Sequence, residues 1–297
     1  MNNTMIGTLG ILGSLLIGAL IAYVGSSHSV SYAGVPVFAI CGAFAFIVQW
    51  VVFTHAWIKH TEHFFDLTGS LTYLTMITIG VVLGGTMDVR SLVIVALIAI
   101  WAIRLGSFLF LRVRGAGEDS RFRKLKFSFP MFLMTWTLQG TWVFITAACA
   151  LAAITSNNKV AVDVYFWVGL ALWCVGFVIE VVSDRQKTAF RADPANAERF
   201  ITSGLWAWSR HPNYFGEIVL WAGIAVMALP TLQGLQYGTL ISPVFVVVLL
   251  TYISGVRMLE NKAEKTWGAD ADYQAYKART PVLLMLPPGD RGLQSEG

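Results

Sequence analysis

The chain has 297 residues, 56% of them hydrophobic and only 13% charged, with a formal net charge of +4. A soluble domain is about a quarter charged, so there is too little charge to cover a water-facing surface, and the two soluble domains that the length would allow are excluded. The small positive balance suits an anionic lipid leaflet and gives no reason to invoke nucleic acid.

Apolar runs long enough to cross a bilayer, for which about 20 residues suffice, predict eight spans. In chain order they are Met5–Val24, Val35–Ile58, Gly69–Thr86, Leu92–Leu111, Met131–Thr155, Val164–Val182, Tyr214–Leu229 and Leu240–Gly255. The first run has no basic leader and no small-residue cleavage site after it, so it is expected to be a retained helix and not a signal peptide. Of the 21 Lys and Arg, all but three fall in the even-numbered connections or the tail, which includes Arg291. The exceptions are Arg90 and Lys159 in the odd connections and Arg104 within a span. By the positive-inside rule this alternation places the even loops and both termini in the cytoplasm. The expectation is an all-α polytopic transmembrane bundle of about eight spans. It forms one integral membrane domain over residues 1–297, with N-terminal helices in 1–60 and the remainder in 61–297. Cys41, Cys149 and Cys174 all fall inside spans with no CxxC spacing, and read as small apolar packing residues; no metal site is predicted.

The polar connections differ in kind. Arg112–Phe129 mixes basic residues with aromatics and glycines. In Ser183–Pro212, Asp193-Pro194 predicts a helix cap with Pro in the first turn. Arg257–Ala278 alternates charges with aromatics, as an interfacial amphipathic helix does. Glu180 and Asp184 end the sixth span one turn apart on a shared face, Gln139 lies in the fifth and Glu217 begins the seventh. Each either bonds a neighbouring helix or lines a site. Arg104 either snorkels to the helix end or turns inward. From Ser203 to Glu217, Gly204 permits a tight turn. Pro212 opens a helix whose free N–H groups favour anions, with Arg210 and His211 adding donors. Trp206, Trp208 and Tyr214 there could equally form an interfacial aromatic belt. Arg112, Arg114, Arg185, Lys187, Arg191, Arg199 and Arg257 face one compartment and could converge on phosphates, or simply record the topology.

The string RHPNYFGE at Arg210–Glu217, preceded by SDRQKTAFR at Ser183–Arg191, resembles the C-terminal half of steroid 5α-reductase-like membrane proteins, and in particular a poorly characterised bacterial branch. The resemblance runs from roughly Thr61 to Pro287 and includes TEHFFDLTGSLTY at Thr61–Tyr73, Leu138–Gly140 and the terminal RTPVLLMLPP. Sterol reductases and isoprenylcysteine-type methyltransferases share the Arg-His-Pro-Asn-Tyr element. The resemblance implies a membrane-embedded reductase that uses NADPH to reduce a C=C bond of a lipophilic, steroid-like or isoprenoid enone. An S-adenosylmethionine-dependent methyltransferase is the alternative.

Carried over by motif, Asp184 and Arg191 resemble the cofactor's adenosine-side contacts. Arg114 and Arg199 resemble phosphate contacts, Asn213, Glu217 and Trp221 resemble groups near the nicotinamide, and Arg257 a further cofactor contact. On the substrate side Asp66 takes the family's acidic position. The family's tyrosine position, three residues before Arg104, holds Trp101, which leaves Tyr73, Glu62 or His63 to replace it, or a protonated Asp66 if burial raises its pKa, as the proton donor. The resemblance further implies a bacterial inner-membrane protein whose site faces the cytoplasm, with membrane lipids and a lipophilic substrate as its partners.

Overall fold

The computed structural model describes residues 2–116 and 118–288; Arg291 lies outside the described residues. Ten α-helices carry the fold: α1 Asn3–Gly25, α2 Val37–Lys59, α3 Phe65–Leu83, α4 Val89–Ala116, α5 Phe129–Thr155, α6 Val164–Ala192, α7 Pro212–Ala228, α8 Ile241–Val248, α9 Val256–Trp267 and α10 Ala271–Arg279. The strands among the described residues are β1, Ser31–Tyr32, and β2, Val35–Pro36, an antiparallel pair with Ser31 opposite Pro36. Among the described residues, eight helical stretches are long and apolar enough to cross a membrane. The fold is therefore the expected all-α polytopic bundle.

The span ends differ from expectation in instructive ways. Val35 and Pro36 begin the second predicted span but belong to β2, because Pro36 lacks the N–H that a helix interior needs. The sixth helix runs on to Ala192, a total of 29 residues. At 1.5 Å per residue that is about 43 Å, longer than the ~30 Å hydrocarbon layer. Its last turns can therefore carry Asp184, Lys187 and Arg191 clear of the apolar layer. The eighth span is not one α-helix: 3₁₀ turns at Gly234–Leu240 lead into α8, then a π-helical turn at Leu249–Ile253, before α9. The expected amphipathic helix over Arg257–Ala278 is two helices, α9 and α10, with Asp270 capping the second through the N–H groups of Asp272 and Tyr273. Asp193 is the cap predicted, accepting from Ala195 N, but the element it opens is a 3₁₀ turn at Pro194–Asn196.

The chain forms two compact units, Met1–Trp167 with Ile224–Ser242, and Val168–Gly223 with Pro243–Gly297. In the first, α5 is buried along nearly its whole length. Its Ala-rich run from Thr146 to Ala153 carries no charge and little bulk, so α1, α2 and α3 pack directly against it. At one end of this unit Phe53, Phe65, Phe122, Phe132 and Trp136 form an aromatic cluster. Phe122 lies in the connection between α4 and α5, and its contact with Phe65 at 4.7 Å pins that connection to the start of α3.

The second unit is organised by the antiparallel crossing of α6 and α7. A Cβ at Gly176 would lie 2.5 Å from Gly216 O and Leu220 N, and a Cβ at Gly216 would lie 2.6 Å from Gly176 O and 2.7 Å from Glu180 N. Backbone touches backbone there, which only glycine permits, and small residues are what bring apolar helices this close. The crossing fixes which side chains meet further along the pair.

Candidate functional site

One turn beyond the crossing, Asn213 Nδ2 donates to Asp184 Oδ1 at 3.3 Å. Asp184 is 6% exposed and Glu180, a turn earlier, 2%. Glu217 is half-buried and Trp221 fully buried on the same helix as Asn213. Asp184, Asn213, Glu217 and Trp221 thus belong to one helix pair.

The segment that precedes α7 is tied to the end of α6. Gly204 has φ +62°, and a Cβ there would strike the Gln186 amide at 2.5 Å, so the predicted turn is real and needs its glycine. Gln186 Oε1 accepts from Leu205 N at 2.9 Å, and Trp206 Nε1 donates to Ser183 O at 3.0 Å. Trp206 is 3% exposed, so it is a buried strut and not part of an interfacial belt; Trp208 is exposed and Tyr214 stacks on His211 at 5.6 Å. The terminal RTPVLLMLPP segment braces the same region. Arg210 N donates to Pro281 O at 2.9 Å and Ser209 Oγ to Leu283 O at 3.0 Å.

Within this unit a cleft of about 250 Å³ opens between the end of α6, the 200–211 segment, α9 and α10. Its cations are Lys187, Arg191, Arg210 and Lys262, against the single carboxylate of Glu260. Its aromatic walls are Phe200, Trp206, Trp267, Tyr273 and Tyr276. The Lys187 ammonium lies 4.6 Å over the Trp206 ring and the Arg191 guanidinium 5.7 Å over Trp267, contacts that hold both cations at the cleft wall. Arg191 also donates to Ala197 O at 3.3 Å. Glu260 takes Arg210 Nη2 at 2.8 Å on one oxygen and His211 Nε2 at 2.9 Å on the other. Arg210 Nη1 donates to Lys277 O at 2.8 Å, while its buried Nε has no acceptor among the described residues. Burial holds His211 below its ordinary pKa, with Glu260 pulling the other way. Burial likewise raises the Tyr276 phenol, whose hydroxyl donates to Trp206 O at 2.7 Å.

Of the expected cofactor contacts, the cleft takes in Arg191. Arg199 is exposed in the connection after the 3₁₀ turn, Arg257 is exposed at the start of α9, and Arg114 is exposed in the last turn of α4, in the other unit. Glu260, Lys262, Trp267, Tyr273 and Tyr276 were not singled out as site residues from the sequence. The signal was the helical spacing of 259/260, 262/263 and 266/267 on α9, which lines up one face.

The expected substrate-side residues lie in the first unit. Glu62 is 1% exposed at its side chain; it accepts from Asp119 N at 3.0 Å and pairs with Lys126 at 3.0 Å. Asp66 Oδ1 lies 3.8 Å from Arg121 Nη2. Tyr73, two turns deeper on α3, meets Trp101 of α4 edge to face at 5.1 Å. Arg104 lies 5.3 Å from the Phe108 ring, one turn nearer the end of α4, as a snorkelling side chain does. Among the described residues no group of three or more His, Cys, Asp or Glu is placed to hold a metal ion.

The fold is an all-α bundle with, among the described residues, eight stretches long and apolar enough to cross a membrane, and parts of the chain are similar to steroid 5α-reductase-like proteins. Residues 50–280 match the family described as a protein of unknown function (DUF1295), and the chain belongs to that family. Among curated proteins, an uncharacterized protein of Schizosaccharomyces pombe is 27% identical over 168 residues, 47% of this chain and 48% of its own length. A probable O-methyltransferase of Ustilaginoidea virens is 28% identical over 125 residues, 37% and 43% of the two chains. The 3-oxo-5-alpha-steroid 4-dehydrogenase 1 of Mus musculus is 38% identical over 111 residues, 34% and 43%. The chain spans less than half the length of each of these relatives. No solved structure matches.

Proposed function

We propose that this protein is an NADPH-dependent reductase of a C=C bond in a lipophilic enone, steroid-like or isoprenoid. The observation that carries the reading is the donor set of the second unit: Lys187, Arg191, Arg210 and Lys262 around an aromatic-walled cleft on the same helix end as the Asp184–Asn213 pair. Those groups fit a phosphate-bearing dinucleotide. Cations meet its phosphates, Trp206 and Trp267 offer faces for a base, and the acceptors of Asp184 and Glu217 suit ribose and amide donors. The 38% identity to a steroid dehydrogenase of the mouse points the same way.

When bound, NADPH supplies a hydride to the β-carbon of the enone. The chain's own residues must then meet the negative charge that grows on the carbonyl oxygen with a donor already in place. That donation is assigned to Tyr73, its ring held in one orientation by Trp101, together with a protonated Asp66 two turns away along α3. Glu62 is assigned a positioning role, since Lys126 and Asp119 N occupy its carboxylate and so fix the connection that carries Arg121 beside Asp66. An apolar chamber that excludes water strengthens each of these interactions. The concentration of Lys and Arg in the even loops supports a cofactor face turned to the cytoplasm of a bacterial inner membrane.

The test is calorimetric titration of the detergent-purified protein with NADPH, NADH and S-adenosylmethionine. Saturable NADPH binding, tighter than NADH, is expected. Binding of S-adenosylmethionine alone overturns the reductase reading and favours methyl transfer, which the likeness to a probable O-methyltransferase keeps in view.

A further inference from the structure

Trp208 and the side chains of residues 282–286 line no part of the cleft, although their backbones brace it. Leu286 N donates to Trp208 O at 3.1 Å, Arg210 N donates to Pro281 O, and Ser209 Oγ donates to Val282 O at 3.3 Å and Leu283 O at 3.0 Å. These bonds lay the terminal segment along residues 208–210. The pair leaves its apolar side chains uncovered. Val282, Leu284 and Leu286 are 40%, 61% and 38% exposed, and Trp208 is 39% exposed, while Leu283 and Met285 are half-buried.

From Thr280 to Pro288 there is no charged residue. Single exposed apolar side chains are ordinary, but several grouped on one bonded pair mark a surface that meets another apolar phase. Their depth says which phase. Residues 208–210 lead directly into Pro212, the first residue of α7, and α7 opens a stretch long and apolar enough to cross a membrane. The uncovered side chains are therefore level with the end of a crossing helix, where hydrocarbon gives way to headgroups, and Trp is favoured at that depth. The charges agree. α10 ends in Lys277 and Arg279, immediately before the apolar run, and cations beside an apolar edge are the mark of a segment lying in the interface. Such cations suit an anionic leaflet.

We propose that residues 280–288 and Trp208 form a lipid anchor, lying in the headgroup–acyl boundary at the mouth of α7 with Val282, Leu284 and Leu286 turned into the leaflet. The same backbone carries Arg210 into the cleft, so lipid contact steadies one of the cleft's walls. Contact with the leaflet does not depend on which reaction the cleft serves. Cys41 and Cys149 are buried and Cys174 is exposed, so a Cys174→Ser background accepts a single nitrobenzoxadiazole label at Leu284→Cys. Asp272→Cys, at an exposed position in the first turn of α10, is the water-facing control. The full chain is reconstituted in membranes of phosphatidylcholine and phosphatidylglycerol, both in vesicles and at one copy per nanodisc. At Leu284→Cys the emission is expected to shift to the blue, to be lost to a phospholipid carrying a nitroxide near the top of its acyl chain, and to be spared by aqueous iodide. At Asp272→Cys the quenching is expected to be the reverse. Should the Leu284 variant not fold, Val282→Cys on the same exposed segment gives the same reading. A label quenched by iodide and not by the nitroxide lipid puts the segment in water and overturns the proposal. So does a label shielded from both quenchers in nanodiscs, which packs the segment on the protein itself. A label shielded from both in vesicles but open to iodide in nanodiscs also overturns it, with a second copy of the chain as the cover.

Discussion

Arg90 in one unit and Arg210 in the other are both largely withdrawn from solvent, and they end differently. Arg90, with its side chain 0% exposed, donates to Met227 O at 2.6 Å and Ala161 O at 2.8 Å, and pairs with Asp163 at 2.9 Å. Its guanidinium is used up in joining the start of α4 to the connection before α6 and to the last turn of α7, where a cation also meets the helix dipole favourably. Arg210 is 9% exposed at its side chain and holds Glu260 and Lys277 O, but keeps a buried Nε without an acceptor at the edge of a cleft. A buried charge with a partner on each of its nitrogens is a brace. One with a donor left over, beside open volume and other cations, is equipped for a ligand.

Arg90→Met breaks the comparison most severely. It leaves the Met227 and Ala161 carbonyls without their donor, and an unsatisfied buried acceptor costs about 1–3 kcal/mol; a clear fall in melting temperature and yield is expected. If Arg90→Met melts like the wild type, the brace reading is wrong. On the reductase reading Asp66→Asn is expected to lower turnover about 100-fold, close to 2.7 kcal/mol of barrier, with NADPH affinity intact. Collapse of NADPH binding in that variant would move Asp66 out of the substrate side. Gly216→Ala sharpens the comparison from the other direction. Its Cβ has to displace the backbone of α6, at about 1–3 kcal/mol, and should weaken NADPH binding because the Asp184–Asn213 pair depends on the crossing. Arg191→Ala is expected to weaken NADPH by about 1–3 kcal/mol, as for a lost hydrogen bond to a charged group, and to leave stability nearly unchanged.

The smallest effect is on pH. His211 titrates below its ordinary value of 6.5 in the folded protein because it is buried. Between the lowered and the ordinary value the unfolded chain binds the extra proton, so stability is full above about pH 6.5 and declines as pH falls towards the folded pKa. His211→Gln should flatten that dependence, seen in melting temperatures across the acid range; a slope unchanged in the variant would assign the proton elsewhere.

Much of this was legible in residues. The alternation of Lys and Arg between even and odd connections supported eight spans, and the described residues hold eight helical stretches of the required length. The RHPNYFGE string and SDRQKTAFR mark the ends of α7 and α6 that meet at the Asp184–Asn213 pair, and the Asp193 cap and the Gly204 turn follow from local chemistry. Arg90 was the informative miss. A lone cation in the short connection before the fourth span looked like an exception to topology, whereas it is spent on carbonyls contributed by residues 70 and more positions away.

The sequence by itself determined the solvent, the span count and the residue types available for chemistry, because hydropathy, charge and turn propensity act over a few residues. Only the tertiary structure decided that Glu62 is held by Lys126, that Trp206 is a buried strut, and that α9 and α10 complete a cleft with Lys187 and Arg210. Each of these depends on which backbones come close, as at Gly176 and Gly216, and that is set by packing between segments distant in the chain.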